Sequence, residues 1–180
     1  YRNGYRASLV AQWLPALDGV VEQLRAGIDV ADIGCGHGHS TVLMAQAFPR
    51  SRFHGFDPHG PSIDAARSQA TQAGVAERTA FELSSATQYA DRQYGLICFF
   101  DCLHDLGGPE AAARHAAKVL APGGTVMLVE PFAHDRTEDN LNLVGRLFYA
   151  GSTTMCCAHA IAEGGRLVLG AQAGEARLAE

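Results

Sequence analysis

Residues 30–40 have the sequence VADIGCGHGHS, and this stretch decides the fold. It follows a short apolar run and leads into residues 40–48, STVLMAQAF, where apolar side chains recur at helical spacing. The glycines at 34, 36 and 38 allow a tight turn and let the backbone approach a ligand where a Cβ would collide. A glycine-rich turn between a strand and a helix is typical of open α/β sheets, which bind ligands at the carboxyl ends of their strands.

The spacing of these glycines separates two classes of ligand. A dinucleotide-binding loop has the pattern G-x-G-x-x-G, which places a pyrophosphate on the helix N-terminus, whereas here the fifth position after Gly34 is His39. Asp32 stands two residues before Gly34. A carboxylate repels a pyrophosphate but accepts hydrogen bonds from an ammonium group. The pattern D-x-G-x-G-x-G therefore counts against NAD(P).

Short apolar runs alternate with amphipathic ones along the middle of the chain, which predicts parallel strands joined by helices. The predicted strands are residues 28–33, 52–57, 79–83, 94–100 and 125–130, and the predicted helices are 40–48, 62–73 and 110–120. Residues 121–124, APGG, are predicted to form a turn. The sequence therefore predicts an α/β fold with a three-layer αβα arrangement.

The pattern is less regular after Pro131. Residues 132–163 contain a polar stretch, a helical stretch at 141–150 and a segment, 152–159, that matches neither the helical nor the strand period. A partly irregular segment of this length after a strand more often covers a ligand site than fills a core, so we predict a substrate lid. Residues 166–170, RLVLG, are a candidate strand.

The composition of the chain indicates how many domains it forms and which classes of partner it excludes. Its 180 residues carry a net charge of −5 and are 47% hydrophobic, which is typical of one domain with a core. The predicted parts of that domain, 1–180, are a core at 28–131, the lid at 132–163 and a C-terminal part at 164–180. The lack of basic clusters argues against nucleic acid as a partner. No apolar run is long enough for a membrane span and no signal peptide is evident, so we expect a cytoplasmic protein.

The cysteines do not indicate a disulfide framework or a metal centre. They lie at positions 35, 98, 102, 156 and 157, an odd number without regular spacing. Cys102, His104, Cys156, Cys157 and His159 have the side chains of a zinc site. The adjacent pair at 156 and 157 lacks the two-to-four-residue separation typical of such sites, however. The sequence therefore predicts no metal.

Further segments at predicted strand ends support a family resemblance. They are 56–58 (FDP), 83–87 (LSSAT), 99–105 (FFDCLHD) and 120–131 (LAPGGTVMLVEP). Together with residues 30–40 they resemble the motifs of class I S-adenosylmethionine (SAM) dependent methyltransferases, over about residues 5–131. With WLPAL at 13–17, the chain is similar to bacterial small-molecule methyltransferases that carry an N-terminal winged-helix-like domain.

This resemblance implies a Rossmann-like sheet whose last two strands would be missing from this chain, which would leave the fifth strand at an exposed edge. It also implies that Asp32 lies near the ammonium of SAM and that Asp57 accepts from the two ribose hydroxyls. Many relatives have an Asp near Ser85 that binds the adenine amine, and here another group must do so. The implied cofactor residues are Asp32, Gly34, Cys35, Gly36, Gly38, Asp57, Pro58, Ser85, Ala86, Phe100 and Asp101.

If the cofactor is SAM, the protein has to align the acceptor with the activated methyl group and, for an acceptor of high pKa, to remove a proton. His104 follows the fourth strand and is the first candidate general base. Glu130, at the end of the fifth strand, is a weaker candidate. The alternative for His104 is that it organises its loop by holding Asp101 or Asp105.

Three functions stay open at this point. The first is methyl transfer from S-adenosyl-L-methionine to an O, N or C atom of a small-molecule acceptor, which yields S-adenosyl-L-homocysteine. The second is a SAM-binding regulatory or structural domain without transfer activity. The third is an NAD(P)-dependent oxidoreductase, against which the glycine spacing argues. The sequence does not decide between a monomer and a homodimer.

Overall fold

A five-stranded sheet forms the centre of the fold in the computed structural model, which describes residues 2–179. The strands are β1 (Asp29–Ile33), β2 (Arg52–Asp57), β3 (Thr79–Leu83), β4 (Tyr94–Phe100) and β5 (Leu120–Val129). Their order in the sheet is β3-β2-β1-β4-β5. Strand β1 pairs in parallel with β2 and with β4, and β2 pairs in parallel with β3. The predicted α/β fold with a parallel sheet is confirmed.

Helices alternate with the strands as the hydrophobic pattern predicts. They are α1 (Arg2–Gly4), α2 (Val20–Ala26), α3 (His39–Ala47), α4 (Gly60–Gln72), α5 (Pro109–Val119), α6 (Leu143–Gly151), α7 (Cys157–Ala162) and α8 (Glu175–Ala179). Two segments, Tyr5–Trp13 and Ser152–Cys156, are π-helical. Short 3₁₀ turns lie at Leu14–Ala16, Ala76–Arg78, Leu103–Asp105 and Thr137–Asn140.

The core lies between the sheet and the helices of its two faces. All seven residues of β4 are buried, as expected of a central strand covered on both faces. Helices α3 and α4 pack on β2 and β3. A Cβ at Gly55 in β2 would lie 2.6 Å from the Phe81 ring and 2.8 Å from Cys35 Sγ. Glycine therefore leaves the room that is occupied by the ring of Phe81, its paired residue in β3, and by Cys35.

The chain forms two compact units. The first contains the residues up to Phe100 together with His115–Met127, and so includes β1 to β4 and the glycine loop. The second contains Asp101–Arg114 and the residues from Leu128 onward, including α6, α7 and α8. The division into a core at 28–131, a lid at 132–163 and a C-terminal part at 164–180 stays a prediction.

The predicted turn at residues 121–124 is wrong, because β5 already begins at Leu120. A Cβ at Gly124 would lie 3.1 Å from the carbonyl oxygen of Gly95, at the start of β4. The Cβ would lie still closer, at 2.9 Å, to the carbonyl oxygen of Ala121, and Gly123 has a positive φ of 75°. Glycine thus permits a local bend within β5 as well as the approach to β4.

The candidate strand at residues 166–170 is also wrong, since this stretch consists of bends and irregular backbone. The Gly170 amide donates to the His104 carbonyl at 3.2 Å, a contact with a 3₁₀ turn and not with a strand. Residues 152–159, which matched neither period, form the π-helical segment and the start of α7. A π turn shifts the positions of all later side chains around the helix, which explains the lost periodicity.

The strand order leaves β5 at one edge of the sheet. Met127 is its one buried residue, and its other residues are half-buried or exposed, with Val126 39% exposed. Among residues 2–179, no helix has both the length and the apolar character that crossing a bilayer requires.

Candidate functional site

The strand order creates a crevice at the end of β1. The chain proceeds from β1 to β2 and β3 on one side and then returns to β4 on the other. Loops diverge at such a switch point, which is where open α/β sheets bind ligands. A cavity of about 320 Å³ lies there. It is lined by Tyr5, Gly34, Cys35, Gly36, His37, His39, Ser40, Ser62 and Phe100.

Glycine is needed at positions 36 and 38 of the loop for different reasons. Gly34, Gly36 and Gly38 all have positive φ, of 67°, 52° and 74°. A Cβ at Gly36 would meet nothing within 4 Å, so this backbone faces open space beside the cavity. A Cβ at Gly38 would lie 2.8 Å from the Phe81 ring and 2.9 Å from Ala66. Gly36 therefore suits contact with a ligand, whereas Gly38 is required by internal packing.

The end of β2 fixes the loop in place. Asp57 Oδ2 accepts from the Gly36 amide and Oδ1 from the His59 amide, both at 2.9 Å. The amides of Gly34 and Cys35 donate to the Phe56 carbonyl at 2.8 and 3.1 Å. A carboxylate oxygen can accept two hydrogen bonds. Both oxygens of Asp57 thus retain capacity for the hydroxyls of a ligand.

Asp32 holds the other side of the loop from within the core. It is 1% exposed, and its Oδ2 accepts from Ser40 Oγ and Thr41 Oγ1, both at 2.6 Å. Its Oδ1 has no hydrogen-bond partner among residues 2–179. Burial raises the pKa of Asp32 to about 6 despite these two hydrogen bonds, and the charge of Asp57 adds to the rise. Asp32 is therefore a buried carboxylate that a cation nearby would stabilise.

The remaining predicted cofactor residues are less closely grouped. The loop after β3 adjoins the end of β2, because the Ser84 amide donates to the Asp57 carbonyl at 3.1 Å. Ser85 and Ala86 in this loop are half-buried, whereas Pro58 is exposed. The Ser85 hydroxyl lies 3.1 Å from that of Thr87. None of these three residues lines the cavity beside the glycine loop, and their roles stay predictions.

Phe100 and Tyr5 form an aromatic wall of the cavity. Phe100 ends β4, and its ring centroid lies 5.6 Å from that of Tyr5. The Tyr5 ring also meets Trp13 edge-on at 6.0 Å. Sequence reasoning did not identify Tyr5, and the only signal was its place eight residues before Trp13 in an upstream helical segment. Asp101, directly after Phe100, belongs to the second unit and has a positive φ of 57°.

The second unit contains a cluster of ionisable side chains around His104. His104 is 4% exposed and lies in the 3₁₀ turn Leu103–Asp105. Its Nδ1 makes a short hydrogen bond with Glu130 Oε2, and Glu130 Oε1 accepts from the Leu103 amide at 2.8 Å. The other ring nitrogen, Nε2, lies 3.2 Å from Asp105 Oδ1. Both nitrogens of His104 therefore face carboxylates.

The charges around His104 determine its protonation. Burial lowers the pKa of the imidazole, but the hydrogen bond and charge of Glu130, together with Asp105 and Asp101, outweigh burial and raise it overall. A general base has to offer an unprotonated nitrogen to its substrate. The general-base role of His104 and the weaker role of Glu130 stay predictions, and the contact with Asp105 is one that the loop-organising alternative predicts.

An apolar cavity of about 460 Å³ lies in the same unit. Leu103, next to His104, forms part of its wall, and two arginines and one glutamate are also among its lining residues. The lining residues are Leu103, Pro109, Glu110, Ala113, Arg114, Leu167, Leu169, Arg177 and Leu178. The size and apolar lining suit a small organic molecule.

Comparison with known proteins assigns the family. A family model described as a methyltransferase domain matches residues 3–163. This chain belongs to the methyltransferase domain family. The methyltransferase domain is 33% identical over 107 residues to 27-O-demethylrifamycin SV methyltransferase of Amycolatopsis mediterranei, covering 58% of this chain and 39% of that protein. It is 30% identical over 108 residues to trans-aconitate 2-methyltransferase of Paracidovorax citrulli, covering 60% and 40%.

Solved structures agree with this assignment. A SAM-dependent methyltransferase from Geobacter sulfurreducens, solved with S-adenosyl-L-homocysteine, matches 72% of this chain and 53% of its own, with a TM-score of 0.58 and 25% identity. A protein suggested to be an O-methyltransferase from Nostoc punctiforme matches 98% and 50%, with a TM-score of 0.66; at 21% identity it shows the fold alone. The resemblance to class I methyltransferases is confirmed. The methyltransferase domain spans about half the length of these proteins, or less.

The stabilities of alanine variants distinguish the roles of Gly36 and Gly38. Gly38→Ala adds a methyl group against Phe81 and Ala66 and also strains a positive φ, whereas Gly36→Ala strains φ alone. The φ strain costs about 1–2 kcal/mol in each variant, and overpacking adds about 1–3 kcal/mol for Gly38→Ala. Urea unfolding measures both losses. Equal losses would contradict the assignment of Gly38 to packing.

Asp32 should make the stability of the methyltransferase domain depend on pH. Its folded pKa of about 6 lies above the unfolded value of 3.8, so the folded state binds a proton more tightly. This contribution to stability is fully present below about pH 4 and is lost as the pH rises through about 6. Between pH 4 and 8, wild type should lose about 2–3 kcal/mol relative to Asp32→Asn. The prediction would be wrong if urea unfolding showed the same change of stability with pH for wild type and for Asp32→Asn.

Proposed function

We propose that this chain is the cofactor-binding part of a SAM-dependent methyltransferase that methylates an O, N or C atom of a small molecule. The observation that carries the proposal is the loop in which Asp57 holds the Gly36 amide while Gly36 faces open space beside a cavity. Family membership supports it, as do relatives named 27-O-demethylrifamycin SV methyltransferase and trans-aconitate 2-methyltransferase.

The residues of the first unit fit SAM. Open space at Gly36 admits a ligand against the backbone, and Asp57 has free acceptor capacity for two ribose hydroxyls. Asp32 supplies negative charge on the core side of the loop, which suits a ligand that carries an ammonium and a sulfonium. The aromatic wall of Phe100 and Tyr5 gives the cavity an apolar side. We assign the cofactor to this cavity.

The acceptor is assigned to the second unit. Its apolar cavity of about 460 Å³ is large enough for a small organic molecule, and Leu103 connects the cavity wall to His104 in the same turn. SAM supplies a methyl group already activated by its sulfonium, so this chain needs to position the acceptor and, for a hydroxyl of high pKa, to take its proton. His104 is the proposed proton acceptor, with Glu130 to orient the ring.

One observation favours a second function, a SAM-binding domain without transfer activity. Both ring nitrogens of His104 already face carboxylates, and its pKa is raised toward the protonated form. A protonated imidazole cannot act as a base. In this alternative, SAM binds to the first unit and the second unit serves a regulatory or structural purpose.

The cofactor assignment is tested by Asp57→Ala. Loss of charge-assisted hydrogen bonds should weaken SAM binding by about 1–3 kcal/mol, measured by isothermal titration calorimetry. Asp64→Ala is the matched control, because Asp64 is an exposed acidic residue whose partner is Arg67. Unchanged SAM affinity in Asp57→Ala, with the control also unchanged, would remove the ribose assignment.

Transfer is tested by incubating the chain with SAM and pooled small phenols, amines and thiols and measuring S-adenosyl-L-homocysteine. We expect it to accumulate, and His104→Ala should lower turnover by about 10²–10⁴-fold while SAM affinity is kept. The exposed His159 provides a control, His159→Ala, that should keep full turnover. An equal loss of turnover and SAM affinity in His104→Ala would favour the loop-organising role, and SAM binding without product would favour the second function.

A further inference from the structure

The side chains around His104 include three metal-ligand types. His104, Asp105 and Cys156 each offer one ligand atom, and these atoms lie within 4.8 Å of one another. Imidazole nitrogen, carboxylate oxygen and thiolate sulfur are the groups that bind zinc in proteins. Asp105 follows His104 in the 3₁₀ turn, and Cys156 ends the π-helical segment Ser152–Cys156. Folding thus brings together residues that lie about fifty positions apart.

The carboxyl group of Asp105 contacts both of the other ligand-type side chains. Its Oδ1 lies 3.2 Å from His104 Nε2 and makes no hydrogen bond of normal geometry within residues 2–179, although this atom is buried in a side chain that is 39% exposed, and the Cys156 thiol donates to the same carboxyl group. Buried polar atoms are normally satisfied. With ligand bonds of about 2.0–2.2 Å at tetrahedral angles, a zinc ion separates its nitrogen and oxygen ligands by about 3.4 Å. The observed spacing therefore suits two ligands of one ion.

Glu130 prepares His104 for metal binding. Its side chain is 6% exposed, it bonds to His104 Nδ1, and it is itself held by the Leu103 amide. Histidines that bind metals almost always donate their other ring N–H to a carboxylate or carbonyl, which fixes the tautomer and the ring orientation. When the neutral imidazole carries its proton on Nδ1, that N–H donates to Glu130. The lone pair of Nε2 then faces Asp105.

We propose that His104, Asp105 and Cys156 bind a zinc-like divalent cation, with Glu130 as the positioning residue. Three protein ligands leave a fourth position for water or a substrate atom, as in zinc sites that are not purely structural. On binding, the Cys156 thiol gives its proton to solvent and the thiolate becomes the ligand. The site lies entirely in the second unit. With the ion on Nε2 and Glu130 on Nδ1, His104 has no free nitrogen, so ion binding and the proposed proton-acceptor role of His104 exclude each other.

A second grouping, Asp101 with His104 and Glu130, also places three ligand atoms within 4.8 Å. In that grouping His104 Nδ1 and Glu130 Oε2 are already used by their mutual hydrogen bond. It also contains no sulfur. The role of Cys156 therefore distinguishes the two arrangements, and the test is built on it.

The test uses the chain after chelator treatment and measures the metal itself. Isothermal titration with Zn²⁺ should show one bound ion per chain, and Co²⁺ should give a thiolate-to-cobalt charge-transfer band in the near ultraviolet. Cys156→Ser should abolish this band, and Cys156→Ser and Asp105→Asn should each weaken Zn²⁺ binding roughly tenfold or more. Cys157→Ser and His159→Asn are the matched controls and should retain the band and the affinity.

Several outcomes would overturn the proposal. They are no stoichiometric Zn²⁺ binding by wild type, no charge-transfer band with Co²⁺, or a band that persists in Cys156→Ser or disappears in Cys157→Ser. If Cys156→Ser does not fold by circular dichroism, the wild-type cobalt spectrum and the Asp105→Asn titration decide. Methyl transfer is not a readout here, so a failure of the proposed function leaves this result unaffected.

Discussion

A buried carboxylate joins the central strand to the helix that follows it. Asp32 near the end of β1 accepts hydrogen bonds from Ser40 and Thr41 in the first turn of α3. A charge removed from water is tolerated only when such bonds compensate it, and here the compensation is incomplete, since the pKa of Asp32 stays raised at about 6. The same contacts fix where β1 ends and α3 begins, and with them the path of the glycine loop.

A second carboxylate holds the loop from the neighbouring strand. Asp57 at the end of β2 accepts from the Gly36 amide, and its charge contributes to the raised pKa of Asp32. Two acids therefore flank one short loop beside the cavity. This arrangement disfavours a phosphate at that position and favours a cation. The charge around the loop thus supports the distinction between SAM and a dinucleotide that the glycine spacing suggested.

Local signals in the sequence account for most of the sheet but not for the contacts across it. The bounds of β2, β3 and β4 agree with prediction because apolar runs and Pro58 define them locally. The start of β5 does not, since it depends on the approach of Gly124 to Gly95. Tyr5 and the contact of His104 with Glu130 escaped prediction for the same reason. Hydrophobic periodicity describes a segment, whereas these contacts join residues far apart in the chain.

Protonation of His104 does not balance the negative charge of the carboxyl groups around it. The imidazole is surrounded by Glu130, Asp105 and Asp101, all of which raise its pKa. If all three carboxyl groups are ionised and the ring is protonated, these four groups together carry a net charge of minus two. His104 is 4% exposed and the Glu130 side chain 6%, so water screens these two poorly, whereas the Asp105 side chain is 39% exposed. A divalent cation would neutralise this net charge and would give Asp105 Oδ1 a ligand bond in place of its contact with His104 Nε2.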